Sequence, residues 1–131
     1  MELMYQNVVE MMDRCCEEYA DLPMYGTPAN GDYNWMTFRD FAETVANLRG
    51  GLDLLGVGVG DRVGIISNNM IPWATMAYAT FSAGAVYVPM YPQQNKEQWQ
   101  YILHDSSCKV LLVASEKLYH EALTWRGEIL P

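Results

Sequence analysis

Between Arg62 and Lys96 the chain carries no charged side chain at all. A run of that length has two homes, the interior of an α/β domain or the hydrocarbon of a bilayer, since both remove apolar groups from water. Turn residues decide between them. Met70 to Pro92 is 23 uncharged residues, long enough to span, yet Pro72, Gly84, Pro89 and Pro92 interrupt it, and Thr75, Thr80 and Ser82 are polar. A helix continuing to Tyr91 would pass through Pro89 and lose a backbone hydrogen bond inside lipid. The run therefore reads as buried core.

Its internal order is strand, helix, strand. Gly58, Gly60 and Asp61 make a turn, and Arg62 to Ser67 is a short apolar strand. Asn68 and Asn69 are expected as N-caps of the next helix, with Pro72 in its first turn, where the N–H groups lack helical partners anyway. On that helix Trp73, Met76, Ala77, Thr80, Phe81 and Gly84 share a face, and the alanines at 74, 77, 79 and 83 let it lie close to a sheet. Ala85 to Pro89 is the second strand, which Pro89 and Pro92 are expected to stop. The unit predicts a right-handed βαβ crossover with parallel strands, covered on both faces because the apolar runs do not alternate.

The pattern then repeats. Asn95, with Gln98 three residues on, caps a helix bearing Trp99, Ile102 and Leu103; Asp105, Ser106 and Ser107 break it; Lys109 to Val113 is a third buried strand. Ser115 caps a last helix, expected from Glu116 to Trp125. Strand and helix thus alternate from Arg62 onward, the mark of an open α/β sheet.

Upstream, Val8, Met11, Met12, Cys15 and Tyr19 recur at spacings of three and four, which predicts an amphipathic helix over Tyr5 to Tyr19. Pro28, Asn30 and Gly31 lie between two aromatic-bearing runs and predict a small β-hairpin. Thr37 and Asp40 form a loose capping box ahead of a long helix through Phe38, Phe41, Val45, Leu48, Leu52 and Leu55. Gly50 and Gly51 weaken that helix by about 1 kcal/mol each, an expense that close packing would explain, and Gly56 ends it as a left-handed cap. The fold class is therefore α/β: a partial open parallel sheet with flanking helices, preceded by an N-terminal helix and a hairpin.

The formal net charge is −8, from 16 acidic and 8 basic residues with no cluster of Lys or Arg. Such a surface repels nucleic-acid backbones, so nucleic acid is not expected as a partner. Cys15, Cys16 and Cys108 are an odd set without disulfide spacing and point to a reducing compartment. His104 and His120 lack ligand spacing to any of them, so no metal ligand is assigned. The N-terminus has no basic segment followed by an apolar one, and no secretory signal is read there. A cytoplasmic or cytoplasm-facing location is expected.

Gly56, Gly58 and Gly60 invite comparison with a dinucleotide-binding loop. In that motif the glycines follow a strand and open a helix, so that the helix N-terminus meets the pyrophosphate. Here they follow a helix and precede a strand, and no acid between Asp61 and Glu97 is available for a ribose. A tight helix-to-strand connection is the expectation.

The series Tyr33-Asn-Trp-Met-Thr37-Phe38, Gly56-Val-Gly-Val-Gly60-Asp61-Arg62-Val63, Asn69, Trp73, Ala83-Gly84-Ala85-Val-Tyr-Val88-Pro89, Tyr101-Ile-Leu-His-Asp105-Ser and Lys109-Val-Leu-Leu-Val resembles the N-terminal part of the AMP-forming adenylating enzymes. The Ala-Gly-Ala-Val-Tyr-Val-Pro-Met-Tyr-Pro variant is most similar to long-chain acyl-CoA synthetases. The resemblance implies a parent enzyme that activates a fatty acid with ATP and Mg2+ to an acyl-adenylate, then transfers the acyl group to coenzyme A. It further implies that residues 1–131 are the N-terminal portion of one adenylation domain, incomplete at the C-terminus and inactive alone, whose partner is the rest of the parent polypeptide. The resemblance leaves open a membrane surface as a further partner of that parent, although the acidic chain repels anionic lipid as it repels nucleic acid. No phosphate loop ending in Lys and no adenosine motif matches here, so no catalytic, cofactor-binding or metal residue is carried over. Asp61 and Arg62 read as a turn carboxylate and a strand-edge cation, Asn69 as a helix cap, Trp73 and Trp99 as packing residues. Two alternatives stay open: a non-catalytic α/β binding or assembly module, and a small nucleotide-binding Rossmann-like unit.

Overall fold

The computed structural model describes residues 4–129. Helix α1 spans Val8–Glu18, strands β1 and β2 span Pro23–Ala29 and Asp32–Thr37, and helix α2 spans Phe38–Leu54. Then follow β3 (Arg62–Ile66), α3 (Ile71–Ser82), β4 (Val86–Met90), α4 (Lys96–Ser106), β5 (Val110–Val113) and α5 (Glu116–Ile129). The expected alternation is thus observed. The three later strands form one parallel sheet in the order β4-β3-β5, and β1 and β2 form a separate antiparallel hairpin.

The sheet is covered on both faces, and side-chain alternation assigns each face its own core. Val63 of β3 with Val110 and Leu112 of β5 packs against Leu48 and Leu52 of α2 and Met76 and Ala79 of α3. Ile66, Met90, Leu111 and Val113 pack instead against Trp99 and Leu103 of α4 and Trp125 of α5. Alternate residues of one strand point to opposite faces, so β3 contributes to both cores. Gly64 sits between them for a steric reason: a Cβ there would lie 2.9 Å from Leu103 Cδ2 and 3.2 Å from Cys108 Sγ.

Local chemistry explains the boundaries. Asn30 and Gly31 both have positive φ, 48° and 85°, as a two-residue hairpin loop requires; Pro28 lies inside β1 rather than in the turn. The side chain of Thr37 accepts from the Asp40 N–H while the Asp40 carboxylate accepts from the Thr37 N–H, a complete capping box despite the short acid. Asn95 and Gln98 make the same reciprocal pair at the start of α4. Gly56 has φ 76° just past α2, the left-handed cap expected there.

Several expectations are corrected. Helix α1 begins at Val8, not Tyr5, because Asn7 accepts from the Glu10 N–H and caps it there. Asn68 and Asn69 do not cap α3: its N-cap is Met70, without a side-chain cap bond, since both asparagines precede the turn that enters the helix. A Cβ on Gly50 or Gly51 would meet nothing within 4 Å, so close packing is not their reason. Pro89 does not stop β4 but pairs with Ile65 inside it. An edge strand tolerates a missing donor; Val88 and Met90 of β4 pack on the α4 side and Tyr87 on the α3 side, while its first residue, Val86, is left 50% exposed. Helix α5 runs on to Ile129.

Candidate functional site

Open parallel sheets bind ligands outside the carboxyl ends of their strands, where neighbouring strands feed helices on opposite faces. Here β3 leads into α3 on one face and its neighbour β4 leads into α4 on the other. The loops they leave, residues 67–70 and 91–95, therefore flank the crevice that this topology implies.

Ser67 closes the crevice floor at 3% exposure. Its N–H donates to the Met90 carbonyl across 3.3 Å, which ties the two strand ends together, and its hydroxyl donates to the adjacent Asn68 carbonyl across 2.8 Å. Above it the Gln93 side-chain amide reaches Asn68 Oδ1 at 3.4 Å, a weak bridge between the loops. The second loop is braced from below. Trp99, buried in the α4 core, donates its indole N–H to the Tyr91 carbonyl at 2.9 Å, and the Tyr91 N–H donates to Gln94 Oε1 at 2.9 Å. Trp99 thus packs, as expected, and also holds loop geometry.

The first turn of α3 is fixed by aromatics. Tyr87 of β4 donates its hydroxyl to the Trp73 carbonyl at 2.9 Å, and the two rings meet edge to face at 5.7 Å. Burial pushes the Tyr87 phenol far above its ordinary value, so it remains a neutral donor. Beside this turn lies a cleft of about 710 Å3 between β1, at Tyr25 to Pro28, and residues 69–74. Its walls, Tyr25, Pro28, Met70, Ile71 and Trp73 among them, are mostly apolar.

Chemically the crevice offers amides, the hydroxyls of Ser67 and Tyr91, and aromatic faces. No carboxylate, imidazole, thiol or ammonium occurs in residues 67–74 or 91–95. It can position a ligand by shape and hydrogen bonding, but it holds no group to relay a proton near neutral pH. It also supplies no cation against a triphosphate, and among the described residues no three His, Cys, Asp or Glu side chains are grouped to hold a metal ion. The residues present therefore do not make a fitted ATP–Mg2+ site.

Charge is concentrated at the opposite, amino end of the sheet. Asp61 accepts from the Gly58 N–H at 2.8 Å and from Lys109 Nζ at 2.9 Å, and Lys109 also donates to the Gly56 carbonyl. The Lys109 bond first, then that N–H, hold the Asp61 carboxyl below its usual range. Arg62 spans from β3 to the end of α4, donating through Nε to the Ser106 carbonyl at 2.7 Å and through Nη2 to that of Ser107 at 2.8 Å. These contacts clasp the glycine turn and the start of β3 to the connection between α4 and β5. Lys109 was legible only as the start of a strand, because its partner lies 48 residues away.

The cysteines are free thiols. Burial pushes the Cys108 thiol up, and Cys16 is raised by burial and then by Asp13 and Cys15; neither is an activated nucleophile. Among the described residues no helix is long and apolar enough to cross a membrane.

The AMP-binding enzyme family profile matches residues 12–129. The chain is 33% identical over 114 residues to the long-chain-fatty-acid–CoA ligase heimdall of Drosophila melanogaster, a match covering 82% of this chain and 16% of that protein. Among solved structures it superposes on the anthranilate CoA ligase AuaEII in complex with anthranoyl-AMP with a TM-score of 0.85 at 25% identity, over 98% of this chain and 24% of that one. A fatty acyl CoA synthetase of Mycobacterium tuberculosis gives 0.76 at 26% identity, over 82% and 21%. The chain thus spans about a sixth of the first relative and less than a quarter of these solved chains.

Proposed function

The chain belongs to the AMP-binding enzyme family, and from that membership we propose that it is the opening scaffold of an ATP-dependent ligase joining a long-chain fatty acid to coenzyme A. In that reaction the fatty carboxylate attacks the α-phosphorus of ATP and pyrophosphate leaves; the thiol of coenzyme A then attacks the acyl carbon and AMP leaves. What supports the fatty-acid assignment is the 33% identity to a protein named as a long-chain-fatty-acid–CoA ligase. The uncharged crevice supports a division of labour in which this segment orders one wall and the rest of the polypeptide brings ATP, Mg2+ and the reacting groups. The segment itself assigns no catalytic, cofactor-binding or metal residue. The ligase works in the cytoplasm or at a cytoplasm-facing membrane surface, where an apolar substrate is delivered.

The test has two arms. The isolated 131-residue chain, given ATP, Mg2+ and palmitate, is expected to release no pyrophosphate; release would overturn the scaffold assignment. A ligase carrying this segment at its N-terminus is expected to turn over palmitate with a kcat/KM well above that for anthranilate. Preference for the aromatic acid would overturn the fatty-acid assignment while leaving family membership untouched.

A further inference from the structure

We draw no further inference here: the strongest candidate, the outer edge of β5 with the apolar groove beside α5 that is lined in part by Trp125, whose buried indole N–H has no hydrogen-bond partner among the described residues, carries nothing because nothing in the structure shows what covers it.

Discussion

Glycines at three positions show how far a single residue's role depends on distant chain. Gly64 lacks a Cβ because Leu103 and Cys108 occupy that space; Gly51, in open space on the outer side of α2, has no such reason. The same class of substitution therefore changes sign between them. Gly64→Val is expected to cost about 1–3 kcal/mol by overpacking, whereas Gly51→Ala should gain about 0.5–1 kcal/mol by removing backbone freedom from the unfolded chain. Urea midpoints of the two variants check this, and equal shifts of either sign would refute it. Neither role was legible: Gly64 looked like one more residue of an apolar strand, and a packing role was expected at Gly51. By contrast Gly56 was placed correctly, because the need for positive φ at a helix end is local. Asp61 yields a pH prediction of the same scale. Its folded-state pKa is depressed, so the stability it contributes is complete above its unfolded value of about 3.9 and is lost as pH falls through the lower folded value. Asp40, held down by the Thr37 N–H and hydroxyl, acts in the same direction. Asp61→Asn is expected to flatten the fall in urea midpoint below about pH 4, leaving the part that Asp40 carries; an unchanged slope would show that Lys109 and Gly58 do not hold the carboxylate.

Elements were legible wherever their signals lay within a few residues. The capping boxes at Thr37 and Asn95 and the hairpin at Asn30-Gly31 all stand where spacing placed them. Edges were not, because whether a strand lies at a sheet edge depends on pairing order: Pro89 was read as a stop, yet the order β4-β3-β5 leaves it in an edge strand that accepts it. The start of α3 failed for a related reason. Asparagine favours a cap, but Ser67 is still tied to the end of β4 through the Met90 carbonyl, Asn68 and Asn69 lie in the connection that follows, and the helix begins after them with Met70 as its N-cap. The contrast can be measured. Asn95→Ala should destabilise by about 1 kcal/mol, the usual worth of an N-cap side chain, while Asn69→Ala should fall within about 0.5 kcal/mol of the parent, as surface changes do. A loss at Asn69 equal to that at Asn95 would mean that Asn69 supports α3 after all. The crevice itself was invisible in the sequence as a site, since its polar groups come from two loops separated by a helix and a strand, and none is of a type that announces chemistry.

At the scale of the molecule, one strand serves two cores. Val63 faces the α2–α3 layer and Ile66 the α4–α5 layer, both fully buried, so neither layer can open without exposing one face of β3. This coupling argues that the chain unfolds as one cooperative unit and not as two halves. Trp99 is the position from which to test it. Only 4% exposed, it fills the α4 side and ties the 91–95 loop through its indole N–H. Trp99→Ala should cost about 3–5 kcal/mol, a large share of the roughly 5–15 kcal/mol that holds a domain of ordinary stability. Trp99→Phe keeps most of the apolar volume and loses the hydrogen bond; it should cost less, because the Tyr91 carbonyl still accepts from the Gln94 N–H. If the two cores are coupled through β3, hydrogen exchange of α2 amides must accelerate in Trp99→Ala by the same factor as that of β3 amides, although α2 does not touch the mutated side. Acceleration confined to α4 and α5, with α2 protected as before, would show instead that the layer of α2 and α3 folds on its own and that the shared strand does not transmit the loss.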